Sequence, residues 1–150
     1  MKKYDVVAIG ELLIDFTENG KSAQGNPMME ANPGGAPSNV LAMLTKLGKK
    51  TGFIGKIGND MFGDQLEKAV QEVGIDTAGL KRDPEVNTTL AFVHTKEDGD
   101  REFSFYRNPG ADMMISEEDL EKSLIEGCRI FHYGTLSMTH ETCRRATYQA

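Results

Sequence analysis

Residues 5–10, Asp-Val-Val-Ala-Ile-Gly, decide the fold. The run is rich in β-branched residues, does not alternate between apolar and polar, and stops at a glycine, as a strand covered on both faces does. Similar runs recur at Thr51-Gly52-Phe53-Ile54-Gly55-Lys56-Ile57-Gly58 and at Cys128-Arg129-Ile130-Phe131-His132-Tyr133-Gly134. Between the first two, Pro37 opens a helix whose Val40, Leu41, Leu44 and Leu47 fall on one stripe before Gly48 ends it. After the second, Phe62, Leu66, Ala69, Val70 and Val73 recur at helical spacing as far as Gly74. Strand, helix, strand, helix with short glycine-rich joints is the alternation of an α/β protein built on a parallel sheet.

Two segments interrupt that rhythm. Leu12 to Phe16 reads as a second short strand directly after the first. Thr88–Thr95 and Arg101–Arg107 are alternating runs around the turn signal Glu97-Asp98-Gly99-Asp100. In the later run Phe103, Phe105 and Arg107 share one face, and Glu102, Ser104 and Tyr106 the other. A half-exposed ribbon between βαβ units reads as a flap over a cleft. Further on, Ser116 with Asp119 forms a capping-box pattern and Ile115 with Leu120 a staple, which predicts a helix carrying Leu120 and Leu124 inward. Residues 138–150 read as the opening turns of another helix with no terminator. The expectation is an N-terminal portion of a longer protein, with the rest of its main domain missing.

With 39% apolar and 27% charged residues in 150, the composition is that of a globular domain. A net charge of -6 argues against nucleic acid or an anionic membrane as partner. No apolar run approaches the roughly 18 residues a membrane-spanning helix needs. Met1-Lys2-Lys3-Tyr4-Asp5 turns straight into a strand instead of a secretory core, so a cytoplasmic location is expected. Two cysteines and three histidines, without C-x-x-C or H-x-x-x-H spacing, make neither a disulfide framework nor a structural metal site. His94 and His132 lie on strand runs and read as structural.

The densest cluster of unusual residues is Ala31-Asn32-Pro33-Gly34-Gly35-Ala36-Pro37-Ser38-Asn39-Val40. Adjacent glycines before a helix let backbone approach a ligand and expose N–H groups, and Asn39 in the first turn can aim an amide at the same place. As pattern alone, these residues equally fit an ordinary loop with a proline start. No Lys-Ser or Lys-Thr follows at phosphate-loop spacing, and Gly10-Glu11-Leu12 is not a dinucleotide fingerprint.

The stretch Gly34-Gly35-Ala36-Pro37-Ser38-Asn39-Val40-Leu41-Ala42, with Leu47-Gly48 and Phe53-Ile54-Gly55-Lys56-Ile57-Gly58-Asn59-Asp60-Met61-Phe62-Gly63, resembles the first signature region of the ribokinase-like (PfkB) carbohydrate kinases. Ile9-Gly10-Glu11 with Asp15 resembles the same family. Phe105-Tyr106-Arg107-Asn108-Pro109-Gly110-Ala111-Asp112, with Gly10 to Phe16, is most similar to its bacterial fructokinase branch. The resemblance runs from Tyr4 to about Thr139. It implies a doubly wound, Rossmann-like three-layer sandwich with a small β lid built from about 12–33 and 88–107, truncated here. It also implies a small-molecule sugar bound between lid and sheet at the C-terminal strand ends.

The activity implied is ATP-dependent phosphorylation of a sugar, fructose to fructose 6-phosphate first. A 2-keto-3-deoxygluconate kinase and a non-catalytic sugar-binding fragment are the alternatives. On the family's pattern Asp15 accepts hydrogen bonds from sugar hydroxyls, Gly34 and Gly35 present backbone, and Asn39 meets another hydroxyl. Taken alone, Asp15 also fits a turn or solvent carboxylate. Phe92 and Phe103 either touch the apolar edge of the sugar or form the ribbon's own small core. Arg107 either reaches the sugar or an anionic substrate group, or pairs with Glu102 or Asp112.

The departures also matter. Ala36 stands where ribokinases carry lysine, which moves the reading away from ribose. The family's Gly-Ala-Gly-Asp motif, supplying anion hole and base, and its Asn-x-x-Glu run associated with magnesium occur nowhere in the chain. The resemblance therefore implies ATP and Mg2+ bound mainly by the missing C-terminal portion. No catalytic, cofactor or metal residue is assigned within the chain, Asp60 and Asp64 reading as first-turn carboxylates. Exposed lid edges imply a homodimer through the lid.

Overall fold

The computed structural model describes residues 2–96 and 98–150; Met1 and Glu97, parts of the expected N-terminal run and 97–100 turn, lie outside the described residues. The elements follow in the order β1 (Tyr4–Ile9), β2 (Leu13–Lys21), β3 (Pro27–Gly34), α1 (Ala36–Lys46), β4 (Thr51–Gly58), α2 (Met61–Val73), β5 (Asp76–Asp83), β6 (Leu90–Thr95), β7 (Arg101–Tyr106), α3 (Lys122–Gly127), β8 (Cys128–Tyr133) and α4 (Glu141–Gln149).

A parallel sheet of order β5-β4-β1-β8 forms the middle layer. Successive residues of β1 point to opposite faces and both faces are covered, which is why its sequence does not alternate. Val6 and Ala8 pack with Leu41 of α1 and Leu66 and Val70 of α2, together with Phe53 and Ile57 of β4. Val7 and Ile9 pack on the other side with Leu124 of α3 and Cys143 and Ala146 of α4. The result is the three-layer sandwich expected from the motif resemblance, with helices on both faces of a partial sheet.

The helices depart from their expected details in two places. The stripe expected on α1 is buried only in part: Leu41 turns inward and Leu44 packs on the core, but Val40 is 42% and Leu47 67% exposed, their place being taken by Pro37 and Ser38. The phase is set at the N-terminus, where the Pro37 ring rests against Gly10 and Gly134 at the ends of the central strands. The Ser116 capping box forms, with its N–H and hydroxyl donating to Asp119 Oδ2 at 2.8 and 2.9 Å, but it closes only one 3-10 turn. Lys56 Nζ lies 2.8 Å from the same Asp119 oxygen and holds that turn against β4, so the helix proper begins at Lys122. By contrast α2 ends as read, at Gly74 with φ 96°, while Asp60, read as a first-turn carboxylate, is its N-cap, accepting from Gly63 N–H at 2.8 Å.

A second sheet, order β3-β2-β6-β7, is built from the two segments expected to form the lid. Its central pair β2/β6 is parallel and its outer pairs are antiparallel. Among the described residues no helix is long and apolar enough to cross a membrane.

Candidate functional site

The lid's ladder sorts the candidate residues by face. Asp15 lies opposite Asn32 on β3 and Ala91 on β6, and Ala91 lies opposite Phe105 on β7. Neighbours in a ladder point to the same side, so these four form one row. Thr17, Val93 and Phe103 form the next row on that face. Phe16 and Phe92 are partners in the intervening row and point the opposite way.

Phe92 stacks on Phe16 with centroids 4.9 Å apart and meets Tyr106 edge-on at 5.2 Å, while Phe16 meets Phe62 of α2 at 5.6 Å. Phe92 thus belongs to the aromatic cluster that seats the lid on α2. Phe103, which shares Asp15's face, is 49% exposed and lies 6.0 Å from Phe105. The structure therefore separates two aromatics that the sequence reading placed together.

Asp15 is half-buried, and among the described residues its carboxylate has neither a hydrogen-bond partner nor an ion pair; burial alone pushes its pKa above the usual carboxylate range. It rests on Gly34. A Cβ on that glycine would overlap Asp15 Oδ2 and stand 2.9 Å from its Cγ. The neighbouring Gly35 has φ 123°, a region that side-chain-bearing residues avoid, and a Cβ there would run into the Glu11 carbonyl oxygen. The glycine pair thus lets the start of α1 lie directly on the end of β1, beside Asp15.

Asn39 sits elsewhere on the same turn. Its backbone N–H donates to the Gly35 carbonyl at 3.0 Å. With Pro33, Ala42, Val70 and Val73 it lines a crevice of about 210 Å³ between α1, β3 and α2, to which Asp15 does not contribute.

Arg107 is bound to Asp112, one of the alternatives the sequence left open. Its Nε and Nη2 donate to Asp112 Oδ2 at 2.9 and 2.7 Å, with Nη1 3.4 Å from Thr139 Oγ1. The pair is not on the surface: the two side chains are 11% and 2% exposed. The Thr89 hydroxyl also donates to Asp112. One residue earlier, Thr88 gives its N–H and hydroxyl to Asp60 at 2.7 and 2.8 Å. Burial acts to raise the Asp60 carboxyl, but the bonds from Thr88 and Gly63 outweigh it and hold the pKa below the usual range. Two aspartates therefore fasten the foot of the lid strand β6 to the main domain.

Two residues with no assigned role join the site. Glu11 is 5% exposed; its Oε1 accepts from Ala36 N–H at 2.8 Å, and its Oε2 is buried without a partner. A carboxylate directly after Gly10, inside an otherwise apolar run, is the signal that could have flagged it. Asn32, opposite Asp15, donates from Nδ2 to Thr17 Oγ1 at 3.0 Å. Its place beside Asp15 follows from the β2/β3 register, which the sequence does not display. An unpartnered carboxylate beside the close-packed backbone of Gly34 and Gly35 suits a ligand bearing several hydroxyls. Among the described residues no group of three His, Cys, Asp or Glu side chains is placed to hold a metal ion.

The chain belongs to the pfkB family of carbohydrate kinases, which it matches over residues 3–150. It is 44% identical over 147 residues to a fructokinase of Solanum tuberosum, a match covering 97% of this chain and 46% of the relative. Fructokinase-2 of Solanum lycopersicum is likewise 44% identical over 147 residues, covering 97% and 45%. The crystal structure of a fructokinase with bound ATP from Xylella fastidiosa superposes with a TM-score of 0.86 at 34% identity, covering 99% of this chain and 50% of that one. The chain spans about half the length of these relatives.

Proposed function

We propose that the chain forms the sugar-binding half of a kinase that phosphorylates fructose at the expense of ATP, giving fructose 6-phosphate. The observation that carries this reading is the half-buried Asp15 carboxylate, unpartnered and seated on Gly34. Sugar hydroxyls donate to it, and each carboxylate oxygen can accept from more than one donor. Gly34 and Gly35 bring backbone to close range and Phe103 flanks the row from the lid, whereas Asn39 lines the separate crevice between α1, β3 and α2 and is not part of this reading. Phe92 acts from the opposite face by anchoring the lid. The relatives named fructokinase support the choice of sugar.

ATP with Mg2+ would supply the phosphoryl group. Among the described residues no group of three His, Cys, Asp or Glu side chains is placed to hold the metal, and none is assigned as the base for the accepting hydroxyl. ATP and Mg2+ are accordingly assigned mainly to the C-terminal portion of the full-length protein. The 150 residues alone then bind sugar without turning it over. The lid leaves Met28 exposed on one edge strand and Tyr106 on the other, and a homodimer formed through the lid is one that sedimentation would detect.

The test is a coupled assay with ATP, magnesium and fructose on the full-length protein and on the 150-residue chain. The reading requires fructose 6-phosphate from the first and none from the second. A full-length protein inactive on fructose, or turnover by the short chain that survives repurification, contradicts it.

A further inference from the structure

Resting on the sugar-kinase reading above, we infer that Glu11 and Asp112 set the charge preference of the site and close it to anionic sugars. The start of a helix attracts anions through its free N–H groups and dipole. In α1 the N-cap is Gly35, without a capping side chain, and the first turn holds no acidic residue. That place is filled from another strand's end: Glu11 reaches over and takes the Ala36 N–H.

The other oxygen of Glu11 makes this more than a cap. Oε2 is buried without a partner, and a Cβ on Gly134 would stand 3.0 Å from it. It therefore lies between the ends of β1 and β8, where α1 and α2 cover one face of the sheet and α3 and α4 the other. Ligands of open α/β sheets bind at such a switch point. Burying a half-satisfied carboxylate costs free energy that a neutral glutamine, offering the same acceptor to Ala36, would largely avoid. What the carboxylate adds is negative potential on Gly34-Gly35-Ala36, the backbone that Asp15 flanks from the other side.

Arg107 offers no compensating charge. Both its Nε and its Nη2 are committed to Asp112 in a buried pair. A sugar acid or sugar phosphate entering beside Asp15 thus meets one carboxylate and the field of the buried Glu11, while the one guanidinium at the foot of the lid is held by Asp112. An uncharged polyol meets acceptors for its hydroxyls.

The test uses the full-length protein and the ratio of kcat/KM for fructose to that for 2-keto-3-deoxygluconate. Glu11→Gln keeps the volume and the bond to Ala36 but removes the charge. Asp112→Asn keeps the contact with Thr89 but frees the charge of Arg107. Each is expected to lower the ratio at least tenfold, by improving use of the acid relative to fructose. The variants act at separate places, so a ratio within twofold of wild type in whichever of them folds, as judged by circular dichroism, overturns the inference. A wild type that phosphorylates neither sugar overturns the kinase reading and this inference with it, a failure visible without any variant.

Discussion

Asp15 and Gly34 share one space: the carboxylate of the first lies where a side chain on the second would have to be. The two residues are diagonal neighbours across the β2/β3 ladder, Gly34 lying opposite Leu13 and Asp15 opposite Asn32, so the bare glycine and the unpartnered acid arise from one piece of local geometry. Gly34 does not have a positive φ, and alanine there meets no backbone strain. We therefore expect Gly34→Ala to fold at a cost of about 1–3 kcal/mol from overpacking. It should displace Asp15 and raise the KM for sugar at least tenfold, leaving the KM for ATP within twofold. Thermal unfolding and steady-state kinetics on the full-length protein read the two effects separately.

The raised pKa of Asp15 gives a stability signature without ligand. Its folded pKa lies above its unfolded value, so its contribution to stability is fully present below the unfolded pKa, about 3.9, and is lost as pH rises through the folded pKa. Near neutrality the ionised group therefore burdens the fold. Asp15→Asn should raise Tm at pH 7, with the gain fading as the pH falls through the folded pKa and gone below about 4. A pH series of melting curves checks this; a gain that persists unchanged into acid would assign the effect to something other than titration.

Asp60 has the opposite sign. A folded pKa below the unfolded value contributes stability above the unfolded pKa and loses it as pH falls through the folded one. Asp60→Ala removes the cap of α2 and the two bonds from Thr88. We expect a loss of roughly 2–3 kcal/mol at pH 7, shrinking in acid below about pH 3.9. Chemical denaturation at pH 7 and pH 3 measures the difference.

The two lid aromatics should separate by readout. Phe92→Ala breaks the stack on Phe16 and the edge contact with Tyr106, and should cost about 2 kcal/mol of stability. Phe103, half exposed on the Asp15 face, should cost less stability and more sugar KM when replaced by alanine. Paired melting and kinetic measurements decide; equal profiles for the two variants would contradict the assignment of faces.

The central strands were legible because burial on both faces leaves an unbroken apolar run, as in Val6 to Ile9. β5 was not: Asp76-Thr77-Ala78-Gly79-Leu80-Lys81-Arg82-Asp83 is a sheet edge whose polar groups reach solvent or pair with α2, as Arg82 does with Glu67 at 3.2 Å. β3 escaped for a related reason, since Met28, Met29 and Glu30 are all exposed and leave no alternation. Asp15, Gly34 and Gly35 are singled out by the resemblance of their motifs to a family, since the glycine pair by itself equally fits an ordinary loop. The facing of Phe92 and the partner of Arg107 depend on register and on a loop closing from Arg107 to Asp112, and neither is written in local spacing.

The most direct measurement of the central claim is steady-state kinetics of Asp15→Ala in the full-length protein with fructose and ATP varied in turn. Loss of a buried charged acceptor for sugar hydroxyls should lower kcat/KM for fructose by about 2–4 kcal/mol of transition-state stabilisation. The KM for ATP should stay within twofold of wild type. Equal losses for both substrates, or no loss for fructose, would show that Asp15 does not hold the sugar.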